Sequence, residues 1–479
     1  MATEQEAVKI LEISGKAWRA GLSQSSYGQN GGLYRVASNF DPFEIINVFM
    51  PGLTPTQRGA GTITDVPTFV TPVVESGTSY LYVHTPTKLY KVSILTGTAT
   101  DITVSSGITT GSIKGAIFYQ GYYIYATNDK VIANTVGTAT NTDLVTGLAT
   151  NAHIFCVGAD LNLYFTHGNK VGRVTNYTGT TGNSSNVFDA GTGIVLKDLL
   201  NDGRYLVLIG DNSNSVSVGL FRCIVGFWNM SAGYYDQLWD NFEDNSLIGG
   251  EIMDGWIYIF GYNNFFKCAS SASPTVVSTF AGGVFNGVRP NGPQSILKAK
   301  GSIYFGAAGS SQIYAYGNPI PGEAKIFFNP HAVTSGNVSC LAFDGISMWA
   351  GTESSTLFQF NTGSGRGSSS IYTSLIPFKQ AYKFAFAKVI LFTDFASDQS
   401  VGLRITSKNA AGVVTDLKNY SFNTDGKMSR MMFHRKAANT SSDVEDFDDI
   451  FWMELDTVGA GILRVEVWGV PLGVTATQK

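Results

Sequence analysis

The stretch Asp254-Gly255-Trp256-Ile257-Tyr258-Ile259-Phe260 constrains the fold of this chain more than any other. Asp-Gly is a favoured two-residue hairpin turn, because glycine takes a positive φ without steric cost and aspartate bonds to its own backbone. The apolar runs on either side, 247–253 and 256–260, predict two strands, and 264–269 and 275–280 predict a third and fourth. Aligned on Gly255, the counterparts are Ser79, Gly121, Leu161, Gly203, Gly301 and Gly345, and successive members of the series lie 42, 40, 42, 52, 46 and 44 residues apart. A propeller blade of four strands takes about 40–50 residues. The spacing therefore predicts a seven-bladed β-propeller, with six or eight blades as alternatives and a pair of β-sandwiches as the competing architecture.

A third strand follows each turn: Lys88–Val92, Lys130–Ala133, Lys170–Val174, Val218–Arg222, Phe265–Cys268, Gln312–Tyr316 and Leu357–Phe360. The composition agrees with an all-β chain. Of 479 residues, 44% are hydrophobic and only 14% charged, so Ser, Thr, Asn and Gly supply the polarity, which suits strands and turns over exposed helices. A formal net charge of −4, with no cluster of Lys and Arg, argues against general affinity for nucleic acid. No apolar run reaches the roughly 18 residues of a membrane span. The first residues, Met1-Ala-Thr-Glu-Gln-Glu-Ala, lack the pattern of a secretory signal, so synthesis in a cytoplasm is expected.

Residues 1–60 do not fit the repeat. A short helix is expected over about 3–18, followed by a Gly- and Ser-rich extended arm. The arm carries Tyr34, Phe40, Phe43, Ile45, Val48 and Phe49, too apolar to stay solvated. These residues must dock on the body of the protein or on a neighbouring subunit, and are the candidate assembly strap. The propeller is assigned to 61–376. The 52-residue spacing suggests an insertion between blades four and five, holding Phe227, Trp228, Tyr234, Tyr235 and Trp239. So many aromatic rings on a loop either plug the gap between blades or contact a protein or glycan. Residues 377–479 alternate apolar and polar side chains, as in a small antiparallel β-sandwich.

Signals for chemistry are sparse. His84, His153, His167, His331 and His434 sit in different units, and Cys156, Cys223, Cys268 and Cys340 have no metal-ligand spacing, so the cysteines read as small buried hydrophobes. No nucleophile motif, P-loop or dinucleotide fingerprint occurs in context, and no catalytic residue, resident metal or cofactor is nominated. The acidic run Asp443 to Asp449 lacks the glycine and spaced oxygens of a calcium loop and reads as a solvated turn.

The segment Arg19-Ala-Gly21-Leu22-Ser23-Gln24-Ser25 resembles the Gly-Gly-Ile-Ser-Gln-Gln opening of nozzle proteins from the tails of short-tailed bacteriophages, with Ala20 in place of a glycine and Leu22 of an isoleucine. Together with seven low-charge blades and a terminal sandwich, this resemblance implies a structural virion component. It implies assembly with other tail proteins into a homo-oligomeric ring, and no enzymatic activity. A glycan- or receptor-binding propeller using the aromatic stretch, with a host surface glycan as partner, is the alternative. A polysaccharide-cleaving enzyme on the same scaffold is the third.

Overall fold

The computed structural model describes residues 7–19, 22, 34–43, 48–108, 113–148, 152–212, 223–280, 287–318, 320, 323–361, 366–373, 376–377, 382–392, 400–408, 414–422, 430–434, 446–447, 450–459 and 461–471. The chain falls into two compact units, one of 55–313 with 333–361 and one of 1–54 with 314–332 and 362–479.

The first unit carries the repeat, except that Tyr314–Ala332, which holds the fourth strand of blade 6 and most of its third, is grouped with the second unit. Seven antiparallel sheets of four strands follow one another. Blade 1 comprises Phe69–Glu75, Thr78–His84, Leu89–Ser93 and Ala99–Asp101, and blade 2 Gly115–Tyr119, Tyr122–Ala126, Lys130–Thr135 and Asn141–Thr146. Blade 3 comprises Phe155–Val157, Leu163–His167, Lys170–Val174 and Ser184–Asp189, and blade 4 Ile194–Asn201, Leu206–Asn212, Cys223–Trp228 and Gln237–Trp239. Blade 5 comprises Leu247–Met253, Trp256–Gly261, Asn264–Ala269 and Ala272–Thr279, and blade 6 Ile296–Ala299, Ser302–Gly306, Gln312–Gly317 and Ile326–Ala332. Blade 7 takes Val338–Phe343, Met348–Thr352 and Thr356–Phe360 from the end of the series and its fourth strand, Thr56–Arg58, from before blade 1.

These sheets form a closed seven-bladed propeller. The first strand of each blade contacts the first strand of the next, and Val338–Phe343 of blade 7 contacts Phe69–Glu75 of blade 1. One apolar cluster joins Tyr164 and Phe188 of blade 3 to Leu199 and Trp228 of blade 4. Another joins Leu81 and Val83 of blade 1 to Cys340 and Trp349 of blade 7. The side chains alternate across each pleat, so both faces of a blade are apolar and each buries against a neighbour.

The hairpin that opens each blade explains the glycine series. Asp254 and Gly255 both have positive φ, +53° and +75°, as a type I′ turn requires. Gln120-Gly121 and Lys300-Gly301 repeat this geometry. In blade 1 the turn is Ser76-Gly77, so the equivalent glycine is two residues before Ser79. The third strand of blade 4 is Cys223–Trp228, not Val218–Arg222, because the extra residues of the longest spacing fall between its second and third strands, at 213–222, outside the described residues.

Apart from those blade 6 residues, the second unit is an antiparallel sandwich of two sheets. In one, the order is Val8–Ser14, Ile462–Pro471, Tyr382–Leu391 and Arg430–His434, with Asp446–Phe447 also on Tyr382–Leu391. In the other it is Tyr34–Ser38, Ser368–Thr373, Ile450–Val458, Ser400–Lys408 and Val414–Phe422, with Ile376–Pro377 also on Ile450–Val458. Alternate residues such as Val401, Leu403 and Ile405 are fully buried, which places the core on one face of the strand. The sandwich therefore draws strands from before residue 60 and from before 377.

The expected N-terminal helix is instead the strand Val8–Ser14 with a 3-10 helix, Gly15–Arg19. Val8, Ile10 and Ile13 are β-branched, and the pairing with Ile462–Pro471 shifts register between Lys9 and Leu11. That bulge breaks strict alternation and gives the strand the spacing of a helical face.

Candidate functional site

The arm residues are consumed within the chain. Trp18 stacks on Phe49 at 5.4 Å, Phe40 meets Phe49 edge-on at 4.6 Å, and Tyr34 meets Phe40 at 6.0 Å. The Trp18 Nε1–H donates to Leu463 O (2.9 Å), and Phe49 exchanges both backbone hydrogen bonds with Ile462. The Phe40 N–H donates to Asn329 O, and the Phe43 ring packs on Phe328 at 5.1 Å. Tyr34, Phe40, Val48 and Phe49 are buried, Phe43 is half-buried, and Ile45 lies outside the described residues. Of the two docking options for the strap, the body of its own chain is the one seen here.

The aromatic stretch belongs largely to blade 4 itself. Phe227 and Trp228 end its third strand and are buried. Trp228 packs on Phe188 at 4.8 Å and Tyr164 at 5.9 Å, and its Nε1–H donates to Ala232 O. The Tyr235 ring packs on Phe188 and fills the space over Gly226. Trp239 lies on the fourth strand, half-buried, and donates to Ala269 O of blade 5 (2.9 Å). These four rings therefore fill the gaps between blades 3, 4 and 5, and a glycan-stacking role for Phe227 and Trp228 is corrected by their burial. Only Tyr234 of the five is exposed.

Tyr234 has company. In an antiparallel blade, the turn between strands one and two and the turn between strands three and four share one end. At that end the described residues expose Leu95 (89%), Leu161 (68%), Tyr234 (70%) and Ile346 (77%). Leu161 stands at a position that glycine holds in five of the other blades, with φ of +63°, although a left-handed conformation costs a bulky residue about 1–2 kcal/mol. Leu95 and Ile346 flank a groove of about 490 Å³ at the seam of blades 7 and 1, together with Ile94, Thr78, Ser347 and Gln359. The composition of each turn gives a signal for this set, a large apolar side chain where glycine, asparagine or aspartate is usual, but only the fold brings the turns to one end.

The acidic residues nearby are turn-makers. Asp344 accepts the N–H groups of Ile346 and Ser347 and the Trp349 Nε1–H, all within 2.8 Å. Asp202 likewise accepts the N–H groups of Arg204 and Tyr205.

Among the buried titratable groups, burial pushes the Cys156, Cys268 and Cys340 thiols up to about 12, so they are protonated at neutral pH. Burial holds His84 down at about 3, and its Nδ1 lies 2.9 Å from the Tyr123 hydroxyl. Among the described residues, no three His, Cys, Asp or Glu side chains are grouped to hold a metal ion, and no helix is long and apolar enough to cross a membrane. Of the acidic run, only 446–447 fall among the described residues.

No protein-family model matches the chain, and no curated protein matches it. Among solved structures, the chain is similar to the extracellular domain of a protein described as a hybrid two component system, BT4673 from B. thetaiotaomicron, at 10% identity and a TM-score of 0.41. That likeness covers 81% of this chain and 48% of the other, so the chain spans about half of that length. It is also similar to YCF48, solved bound to D1 peptide, at 10% identity and a TM-score of 0.45, over 65% of this chain and 98% of the other. Likeness at this level decides nothing about what this chain binds, and the blade topology rests on its own strand order.

Proposed function

We propose that the chain is a structural component of a bacteriophage virion tail, a nozzle or tail-tip ring subunit that acts through protein–protein assembly. The observation that carries the assembly reading is the end of the propeller where Leu95, Leu161, Tyr234 and Ile346 all project into solvent. Isolated exposed apolar residues are ordinary, but four at the tips of turns on one end make a surface whose burial against a partner releases water. Leu161 adds weight, because an exposed leucine is kept in a strained backbone position where a glycine would relax it. The phage assignment comes from the resemblance of residues 19–25.

The decisive variant is Leu161→Gly, which removes an apolar tip while relieving the left-handed strain, combined with Leu95→Ser and Ile346→Ser. The purified chain is expected to form rings in electron micrographs with a multiple of the monomer mass, and the triple variant is expected to stay monomeric while remaining folded, with a thermal midpoint no lower than that of the dissociated wild-type chain. A wild-type chain that remains monomeric at all concentrations and binds a glycan array, with binding lost in Tyr234→Ala, would overturn the assembly reading in favour of a glycan-binding module.

A further inference from the structure

The seam between blades 1 and 2 has an apolar interior and a polar cavity beside it. In the interior, Val73, Tyr82 and Leu89 of blade 1 cluster with Tyr123, Tyr125 and Ile132 of blade 2. The cavity holds about 90 Å³. Blade 1 lines it with Glu75, Tyr82 and Lys91, the turn between the third and fourth strands of blade 2 with Gly137 and Thr138, and the link between the two blades with Ser105. Strand register brings the blade 1 residues together. Val73 is opposite Tyr80 and Tyr82 is opposite Lys91, so Glu75, Tyr80, Tyr82 and Lys91 share the face that blade 1 turns toward blade 2.

The polar groups of the cavity hold one another in place. Lys91 Nζ–H donates to both Glu75 oxygens, at 3.2 and 3.1 Å, and the ammonium lies 4.7 Å from the centre of the Tyr80 ring. Only 27% of the Lys91 side chain and 20% of the Glu75 side chain are exposed. A Cβ on Gly137 would lie 2.8 Å from Glu75 Oε1, so the blade 2 turn leaves room for the carboxylate by having none. The Tyr82 hydroxyl interacts with the Glu75 carboxylate and the Gly137 N–H, and burial, with the Glu75 charge next, pushes it up to about 12, so it stays a donor at neutral pH. The facing wall is anchored too. Ser106 O accepts the side-chain amides of Asn134 (3.1 Å) and Asn141 (3.0 Å), and Thr138 Oγ1–H donates to Thr135 O (2.8 Å).

We propose that this cavity is a glycan subsite, which takes two adjacent hydroxyls of a sugar ring between Glu75 and Lys91 and leaves the rest of the ring outside its mouth, past Ser105. The chemistry of the pair selects the guest. Cation and anion cancel, so a charged ligand would lose its hydration without meeting an unpaired opposite charge. A carboxylate accepts at about four lone-pair sites, and an ammonium keeps a donor beyond those aimed at Glu75, so the pair offers one acceptor and one donor side by side. Adjacent sugar hydroxyls match that arrangement, one donating while its neighbour accepts. Size agrees, because about 90 Å³ admits the edge of a pyranose and not a whole drug-sized ligand, for which pockets run to about 300–1,000 Å³. The groups are ordered before binding, so little side-chain freedom is lost when the sugar arrives. The site lies within one chain and is independent of the assembly surface that carries Leu95, Leu161, Tyr234 and Ile346.

The experiment is saturation-transfer NMR of the full chain with the methyl glycosides of mannose, glucose and galactose, which together present adjacent hydroxyls in cis and in trans, and with glycerol and inorganic phosphate for comparison. At least one glycoside is expected to bind with a dissociation constant of about millimolar order. Lys91→Met and Glu75→Gln are each expected to weaken it by about tenfold or more, the effect of losing a hydrogen bond to a charged group, and Tyr234→Ala is expected to leave it unchanged. Absence of binding by all three glycosides overturns the subsite, as does binding that both cavity variants retain or that Tyr234→Ala abolishes. Phosphate bound in preference to every glycoside also overturns it, since Lys91 would then act as a free cation, and glycerol bound as tightly as the glycosides overturns the sugar as the guest. Should the cavity variants fail to fold, Ser105→Tyr narrows the mouth from an exposed position on the link. Weakened glycoside binding in that variant supports the proposal, and unchanged binding overturns it.

Discussion

Glycines that look alike in the sequence have opposite reasons for being there. Gly255 has a φ of +75°, and a Cβ added to it would touch nothing. Gly172 has an ordinary strand conformation, but a Cβ there would lie 2.1 Å from the Phe165 ring on the adjacent strand. Gly255→Ala should therefore cost about 1 kcal/mol through backbone strain alone, partly offset by a stiffer unfolded chain. Gly172→Ala should cost about 1–3 kcal/mol, because a buried ring must leave its rotamer. Denaturant midpoints would check both, and equal effects would show that ring overlap is not what fixes Gly172. The first role was legible, since Asp-Gly between apolar runs announces its own turn. The second was not, because Lys170-Val-Gly-Arg-Val174 contains no trace of Phe165. Trp228 shows the same limit: its aromatic character was visible, but whether it faces solvent depends on Phe188 and Tyr164 arriving from another blade.

At the scale of elements, the arm works as two edge strands. Val8–Ser14 borders one sheet of the sandwich and Tyr34–Ser38 the other, and the Trp18, Phe40 and Phe49 rings pack together between these strands and the remainder of the arm. The apolar run was legible as something that must dock, because the hydrophobic effect sets that without knowing the partner. Its destination was not, since Trp18 meets Leu463 across 445 residues of sequence. Trp18→Ala should destabilise the sandwich by about 3–5 kcal/mol, the usual cost of emptying a buried tryptophan site. The check is amide exchange along Ile462–Pro471, the strand that pairs with the arm, which should accelerate. Unchanged exchange there would mean that the arm lies on the sandwich without supporting it.

For the propeller as a whole, seven units were legible because each is built from hairpins a few residues apart, while closure depends on strands at opposite ends of the repeat. The fourth strand of blade 7 is Thr56–Arg58, paired with Leu357 to Gln359, so that sheet is completed by three residues from before blade 1, beside the first-strand contact and the apolar cluster shared by blades 7 and 1. Arg58 does more than complete that strand. Its Nε–H donates to Gln359 Oε1 (2.9 Å) and its Nη1–H to Thr96 O in a turn of blade 1 (3.3 Å), and its stem fills the space above Gly97. One side chain thus ties the last blade to the first. Because a ring of blades loses two neighbours' worth of packing only where it opens, the weakest seam sets where local unfolding starts. Arg58→Ala removes both bonds and the packed stem from a partly exposed site, and should cost about 1–2 kcal/mol. The loss should be local: exchange should rise along Thr356–Phe360 and Phe69–Glu75 and stay unchanged along Leu163–His167, on the far part of the ring. Uniform acceleration in all blades would show instead that the propeller opens as a single cooperative unit, with no privileged seam at its closure.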